Sequence, residues 1–245
     1  MTGTSLVDGV LFDIDDTLVD TRGAFAVALG VVARQYLPEV PADRDDELVA
    51  VWRADVNGHY AAYTRGEVGF VAQRLARANE LHAWFGGPVL DDDAFERWDL
   101  VFQDGFASAW TAHPDVTVVD RLLAAGLSVG ALSNASIAYQ TSKLERVGLI
   151  DRVPMLVGVD TLGYGKPHPD VFTEACRRLG TDPARTAYVG DELDVDAEAA
   201  RAAGLVGIWL DRPGGRRHTI TDEQIAAADV TVVHALDELP GVLGL

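Results

Sequence analysis

Lysine is nearly missing from this sequence: of 20 basic residues only Lys143 and Lys166 are lysines, and arginine supplies the rest. Cysteine is rarer still. Cys176 stands alone, so no disulfide can form within the chain and nothing points to an oxidising compartment. It falls among Val171, Phe172, Ala175 and Leu179 at helical spacing and reads as a plain buried thiol. No apolar run approaches the ~20 residues that a membrane span needs. Positive charge is short overall, because 38 acidic side chains face those 20 basic ones and leave a formal net charge of −18. Such a balance repels phosphate backbones and anionic lipid headgroups, which argues against nucleic acid and membrane surface as partners. Met1 to Ser5 carry no basic residue and no signal-like core follows them, so the expected location is cytoplasmic. What remains is ordinary: 245 residues, 48% hydrophobic and 24% charged, enough to bury a sizeable core.

Short apolar runs that break into acids recur along the chain: Val10 to Asp15, Leu127 to Asn134, Met155 to Asp160, Thr186 to Asp191 and Val206 to Asp211, with Val230 to Val233 as a last, edge strand. Each reads as a buried strand with polar residues at its carboxyl end. Helical patterns separate them, at Val118 to Ala125, Tyr139 to Val147, Pro169 to Leu179, Val195 to Ala203 and Asp222 to Ala228, most closed by a glycine (Gly126, Gly148, Gly180, Gly204). The alternation predicts an α/β fold, a three-layer Rossmann-like parallel sheet covered on both faces.

One interval breaks this rhythm, since the first and second strands are separated by far more chain than a crossover needs. The intervening pattern is helical throughout, with Phe25, Ala28, Leu29, Val32 and Tyr36, then Leu48, Trp52 and Val56, then Phe70, Val71 and Leu75, then Phe95, Trp98, Phe102, Phe106 and Trp110. The expected organisation is an α/β core of residues 1–20 and 112–245 with an all-helical cap domain, residues 21–111, inserted into it. Four of the five tryptophans (Trp52, Trp84, Trp98, Trp110) fall in the insert, and its aromatic stripes read as packing.

In an open parallel sheet, ligands bind beyond the carboxyl ends of the strands. There the first strand gives Asp13-Ile14-Asp15-Asp16-Thr17, the second Ser133-Asn134, and the fourth Asp191 and Asp196; Lys166 lies between the third and fourth. Carboxylates gathered at one edge repel unless a cation sits among them, and an all-oxygen shell suits Mg²⁺. A carboxylate beside that ion can attack phosphorus, a lysine can neutralise phosphoryl oxygens, and a second carboxyl can protonate the leaving oxygen.

In this order the motifs resemble those of the haloacid dehalogenase (HAD) superfamily of phosphohydrolases, in the C1 branch with a helical cap after the first motif. The resemblance implies Asp13 as nucleophile and Asp15 as general acid and then base. It implies Thr17, Ser133, Asn134 (through its backbone amide) and Lys166 as contacts to the phosphoryl group. It also implies a Mg²⁺ held by Asp13, Asp191, Asp196 and the backbone carbonyl of Asp15. The expected activity is hydrolysis of a small soluble phosphorylated metabolite through an aspartyl phosphate. Asp16 stands where glycine is commoner. A phosphomutase would share this core, and a dehalogenase of the same superfamily would need no metal and would lack an acid at Asp15. A receiver-type phospho-accepting signalling module is the non-enzymatic alternative, although its acids come in a different order. Substrate and oligomeric state are left open.

The six histidines show no zinc-ligand spacing. His168 reads as a helix-entry residue and Arg212, Arg216 and Arg217 as a solvated loop. Arg65 and Arg74 are the insert's available partners for a second anionic group of a substrate.

Overall fold

The computed structural model describes residues 6–216 and 219–245. Met1 to Ser5, Arg217 and His218 lie outside the described residues. Among these, six parallel strands form one sheet: β1 (Gly9–Phe12), β2 (Ser128–Leu132), β3 (Met155–Val157), β4 (Thr186–Gly190), β5 (Val206–Leu210) and β6 (Thr231–Val233). Their order is β3-β2-β1-β4-β5-β6, so β1 is flanked by β2 and β4, with Phe12 opposite Ala131 on one side and Val189 on the other. The chain steps outward from β1 to β3, then returns to place β4 on the other side of β1. That reversal is the switch point at which such sheets open a crevice. The expected edge strand is β6, at one margin of the sheet.

The chain divides into two compact units, one joining the segment up to Val19 to Ala112–Leu245, the other comprising Asp20–Thr111. The second unit is helical: α1 (Thr21–Tyr36), α2 (Asp45–Ala54), α3 (His59–Thr64), α4 (Phe70–Phe85) and α5 (Asp92–Ser108). Asp20 caps α1 by accepting from Gly23 N at 2.8 Å, and Asp91 caps α5 through Ala94 N at 2.8 Å. Its core is the aromatic stripe. Phe25 stacks on Phe106 at 4.6 Å between ring centroids, Trp52 meets Phe102 at 5.1 Å, and Trp98 lies parallel to Phe102 at 5.3 Å. The Arg74 guanidinium lies 4.6 Å from the Phe102 ring centroid, inside this packing, while Arg65 pairs with Glu67 on the surface at 2.7 Å. Trp84 departs from the stripe: it is exposed and donates to Glu47 at 3.1 Å.

In the α/β unit the helices are α6 (Val118–Ala124), α7 (Ile137–Arg146), α8 (Pro169–Leu179), α9 (Ala199–Ala202), α10 (Asp222–Ala228) and α11 (Leu239–Leu243). One face of the sheet, through Leu11, Leu132, Val157 and Tyr188, packs on Val171, Phe172, Ala175 and Cys176 of α8. The lone thiol is thus a buried hydrophobe. His168 caps α8, its Nδ1 accepting from Asp170 N at 3.3 Å.

Two expectations are corrected. The helix predicted from Val195 instead begins as a wide π-helical turn, Leu193–Glu198, and turns α-helical only at Ala199. Arg212 is not a solvated loop residue. Its guanidinium forms a two-point pair with Asp115, 2.9 Å at each oxygen, and donates to the Thr17 carbonyl at 3.0 Å, while Leu236 N donates to Asp115 Oδ2 at 2.9 Å. The short helix α3 carried no signal in the apolar pattern, because only Thr64 of its six residues is buried.

Candidate active site

Beyond Phe12 the strand gives one more ladder bond, Asp13 N to the Val189 carbonyl at 2.8 Å, and then coils. Leu18 and Val19 N–H both return to the Ile14 carbonyl, at 3.0 and 2.9 Å, and Asp16 N donates to the Val19 carbonyl at 2.8 Å. This tight loop forces Asp16 to φ +58°, a left-handed conformation that glycine adopts freely and aspartate tolerates better than most residues. The departure at this position is therefore a matter of backbone shape.

Lys166 is the centre of the site. It is 3% exposed, and its ammonium donates to Asp13 Oδ1 at 2.6 Å, Asp196 Oδ1 at 2.6 Å and the Tyr188 hydroxyl at 2.8 Å. Three donors thus meet three acceptors. The Tyr188 hydroxyl in turn donates to the Leu132 carbonyl at 3.0 Å. Burial opposes charge on Lys166, but Asp13 and Asp196 outweigh it and hold the ammonium well above its ordinary pKa. Burial likewise lifts the Asp13 carboxyl to about 7, with Lys166 pulling it down and the charges of Asp196 and Asp15 pushing it further up.

Asp196 reaches this point from the π-helical turn. Its Oδ2 accepts from Glu192 N at 3.0 Å, and it lies so close to β4 that a Cβ on Gly190 would stand 2.4 Å from its Cγ, so only glycine fits there. Asp13, Asp191 and Asp196 bring one carboxylate oxygen each to within 4.8 Å of one another. An all-carboxylate set of this kind matches the donor preference of a hard divalent cation such as Mg²⁺.

The Asp15 side chain contributes no carboxylate oxygen to that group. Its Oδ1 pairs with the Lys143 ammonium and its Oδ2 accepts from Gln140 Nε2 at 2.6 Å. The same Gln140 amide donates to Ser133 Oγ at 2.8 Å. Asn134 turns its side chain to the backbone of Lys166. Thr17 is fully buried, its hydroxyl without a protein partner. The strand ends therefore gather Asp13, Asp191, Asp196 and Lys166 tightly, tie Ser133 to Asp15 through Gln140, and keep Thr17 below the surface.

Three residues escaped the sequence reading: Tyr188, Gln140 and Lys143. Tyr188 falls within the apolar run of the fourth strand, where spacing alone does not separate a packed ring from a hydroxyl that serves the site. Gln140 and Lys143 lie three apart on α7, and the signal available for Lys143 was its rarity in so arginine-rich a chain.

The sequence model of a hydrolase family described as haloacid dehalogenase-like hydrolase matches residues 7–204. A glyceraldehyde 3-phosphate phosphatase of Methanopyrus kandleri is 37% identical over 209 residues, covering 84% of this chain and 85% of the relative. An N-acetylmuramic acid 6-phosphate phosphatase of Pseudomonas putida is 30% identical over 234 residues, covering 93% of this chain and 92% of the relative. Among solved structures, an L-2-haloacid dehalogenase from Xanthobacter autotrophicus superposes with a TM-score of 0.72 at 20% identity, covering 97% of this chain and 98% of that one.

Proposed function

The chain belongs to the haloacid dehalogenase-like hydrolases, and from that premise we propose that it hydrolyses a small phosphorylated metabolite, with Mg²⁺, through an aspartyl phosphate on Asp13. The observation that carries this reading is the buried Lys166 ammonium bridging Asp13 and Asp196, 2.6 Å from each, beside the carboxylate group of Asp13, Asp191 and Asp196.

Mg²⁺ bound by Asp13, Asp191 and Asp196 would supply positive charge that keeps Asp13 ionised and offsets the charge of the phosphoryl oxygens. Lys166 holds Asp13 through Oδ1, which leaves attack on phosphorus to Oδ2. As the oxygen–phosphorus bond forms, the bond to the leaving oxygen breaks and Asp15 gives that oxygen a proton. Water then attacks the aspartyl phosphate, Asp15 takes up the proton, and inorganic phosphate leaves with Asp13 restored. The Ser133 hydroxyl and the Asn134 backbone amide serve the phosphoryl oxygens. Lys166, with all three protons engaged, acts chiefly as fixed charge that sets the position of Asp13.

Asp15 supports a phosphatase over a dehalogenase, because displacing halide calls for no acid to protonate the leaving group. The relatives named for glyceraldehyde 3-phosphate and N-acetylmuramic acid 6-phosphate both act on phosphomonoesters of small molecules, which supports the same substrate class here. The direct test is phosphate release by the purified protein over a panel of phosphorylated metabolites, with and without Mg²⁺. No release from any member overturns the reading.

A further inference from the structure

Helix α7 buries three side chains, Gln140, Lys143 and Leu144. Two of them are polar, where burial ordinarily selects apolar residues. Lys143 is 1% exposed and Gln140 is fully buried. A lysine ammonium at that depth is tolerated only beside a carboxylate with good hydrogen bonds, and here the carboxylate is Asp15, 128 residues away in the chain. Spacing of three places Gln140 and Lys143 on one side of the helix, one turn apart. Between them they take both oxygens of Asp15, and Gln140 reaches on to Ser133.

We propose that Lys143 is a positioning residue of the reaction described above, acting through Asp15: with Gln140 it fixes both carboxylate oxygens and offsets their charge, so that Asp15 stands near Asp13 without joining the cation group. This rests on the reading of Asp15 as acid and then base: the ionised carboxylate held here, with both oxygens accepting, is the form that takes the proton from the attacking water, and its protonated form is the donor to the leaving oxygen. Charge balance supports it independently. The four carboxylates of Asp13, Asp15, Asp191 and Asp196, set against the two ammonium groups of Lys143 and Lys166, leave an excess of two negative charges, which one divalent ion matches. Without Lys143 the excess is three. The site would then hold a cation more tightly and admit a phosphate dianion less readily, and Asp15 would lose the contact that aims it. Arginine does not substitute easily, because a planar guanidinium needs more room than a compact ammonium does. That accounts for a lysine at this position in a chain that otherwise favours arginine.

The test is a cycle of Lys143→Met, Asp15→Asn and the double variant, read by steady-state kinetics and by calorimetric Mg²⁺ titration. Lys143→Met should lower kcat by roughly 10²-fold and bind Mg²⁺ roughly three- to tenfold more tightly. The double variant should be no slower than Asp15→Asn alone, because Lys143 has nothing left to act on. Its Mg²⁺ affinity should return towards that of the wild type. With both charges gone it should also fold even where Lys143→Met alone does not, which keeps the comparison available. A purely structural lysine would behave differently: Lys143→Met would melt earlier and bind Mg²⁺ more weakly, and its loss of kcat would multiply with that of Asp15→Asn. Either that pattern or an unchanged kcat in a folded Lys143→Met protein overturns the proposal. A wild type that releases no phosphate from any substrate overturns the reading of the reaction instead, and the Mg²⁺ titration still judges the pairing.

Discussion

Asn134 grips the backbone of Lys166 with both ends of its side-chain amide: Lys166 N donates to Oδ1 at 2.6 Å, and Nδ2 donates to the Lys166 carbonyl at 2.9 Å. The end of β2 is thereby fastened to the loop that carries the ammonium. Gly165 is what permits it, since a Cβ there would stand 2.2 Å from the Asn134 Oδ1. Asn134 therefore sets where Lys166 sits.

Replacing Asn134 by alanine leaves two buried backbone groups of Lys166 without partners, a loss of about 2–4 kcal/mol. Urea unfolding should show that loss. Phosphate release should fall on the order of tenfold to a hundredfold, because Lys166 would no longer hold Asp13 in one place. A variant with normal stability and normal kcat would show that the grip is idle.

Excess EDTA should reduce phosphate release to background, and Mg²⁺ should restore it. The carboxylates of Asp13, Asp191 and Asp196 outnumber the single ammonium of Lys166 among them and cannot receive a dianion at such close quarters without a further cation. Undiminished turnover in EDTA would rule out the metal.

Asp13 and Asp15 should fail in different ways. Asp13→Asn should abolish both turnover and the phosphoenzyme seen on rapid acid quenching, whereas Asp15→Asn should slow turnover by roughly 10² to 10⁴ while still binding Mg²⁺. Near-normal kcat in Asp13→Asn would exclude it as nucleophile.

The pair of Arg212 and Asp115 makes a pH-dependent contribution to stability. Burial pushes the Asp115 carboxyl up, but Arg212 and the Leu236 amide outweigh it and hold the pKa below the ordinary 3.8. A lowered folded-state value means that the stabilisation is fully present above about pH 4 and is lost as the pH falls through the folded-state pKa. Asp115→Asn should therefore cost about 3 kcal/mol at pH 7, and the gap to the wild type should close below pH 4. A gap that stays constant down to pH 3 would show that the charge contributes nothing.

The sheet was legible because its strands are short, apolar on both faces and terminated by acids; β1 and β4, every residue buried, are the plainest cases. Lys166, Asp191 and Asp196 could be placed at the sheet edge because topology carries every strand end there. The π-helical turn at Leu193–Glu198 was not legible, since apolar spacing alone continues a regular helix. What bends it is the demand that Asp196 face Lys166 and Glu192 N at once. The pairing of Lys143 with Asp15 was hidden for another reason: no local pattern links residues so far apart, and a lysine three places after a glutamine on a helix reads as solvated until its burial is seen. Arg212 misled in the same way, its partners Thr17 and Asp115 lying about a hundred residues away or more.

Both lysines are buried, so the described surface offers no lysine amine, and its fixed positive charge is carried by guanidinium groups. Acylating esters, aldehyde crosslinkers and reductive methylation should thus find no lysine to modify on the folded molecule. Any lysine adduct that accumulates under native conditions must form while the α/β unit is transiently open, and its rate of appearance reports how often that happens. The chain consequently carries a built-in chemical clock for its own opening, with Lys143 and Lys166 as its two hands.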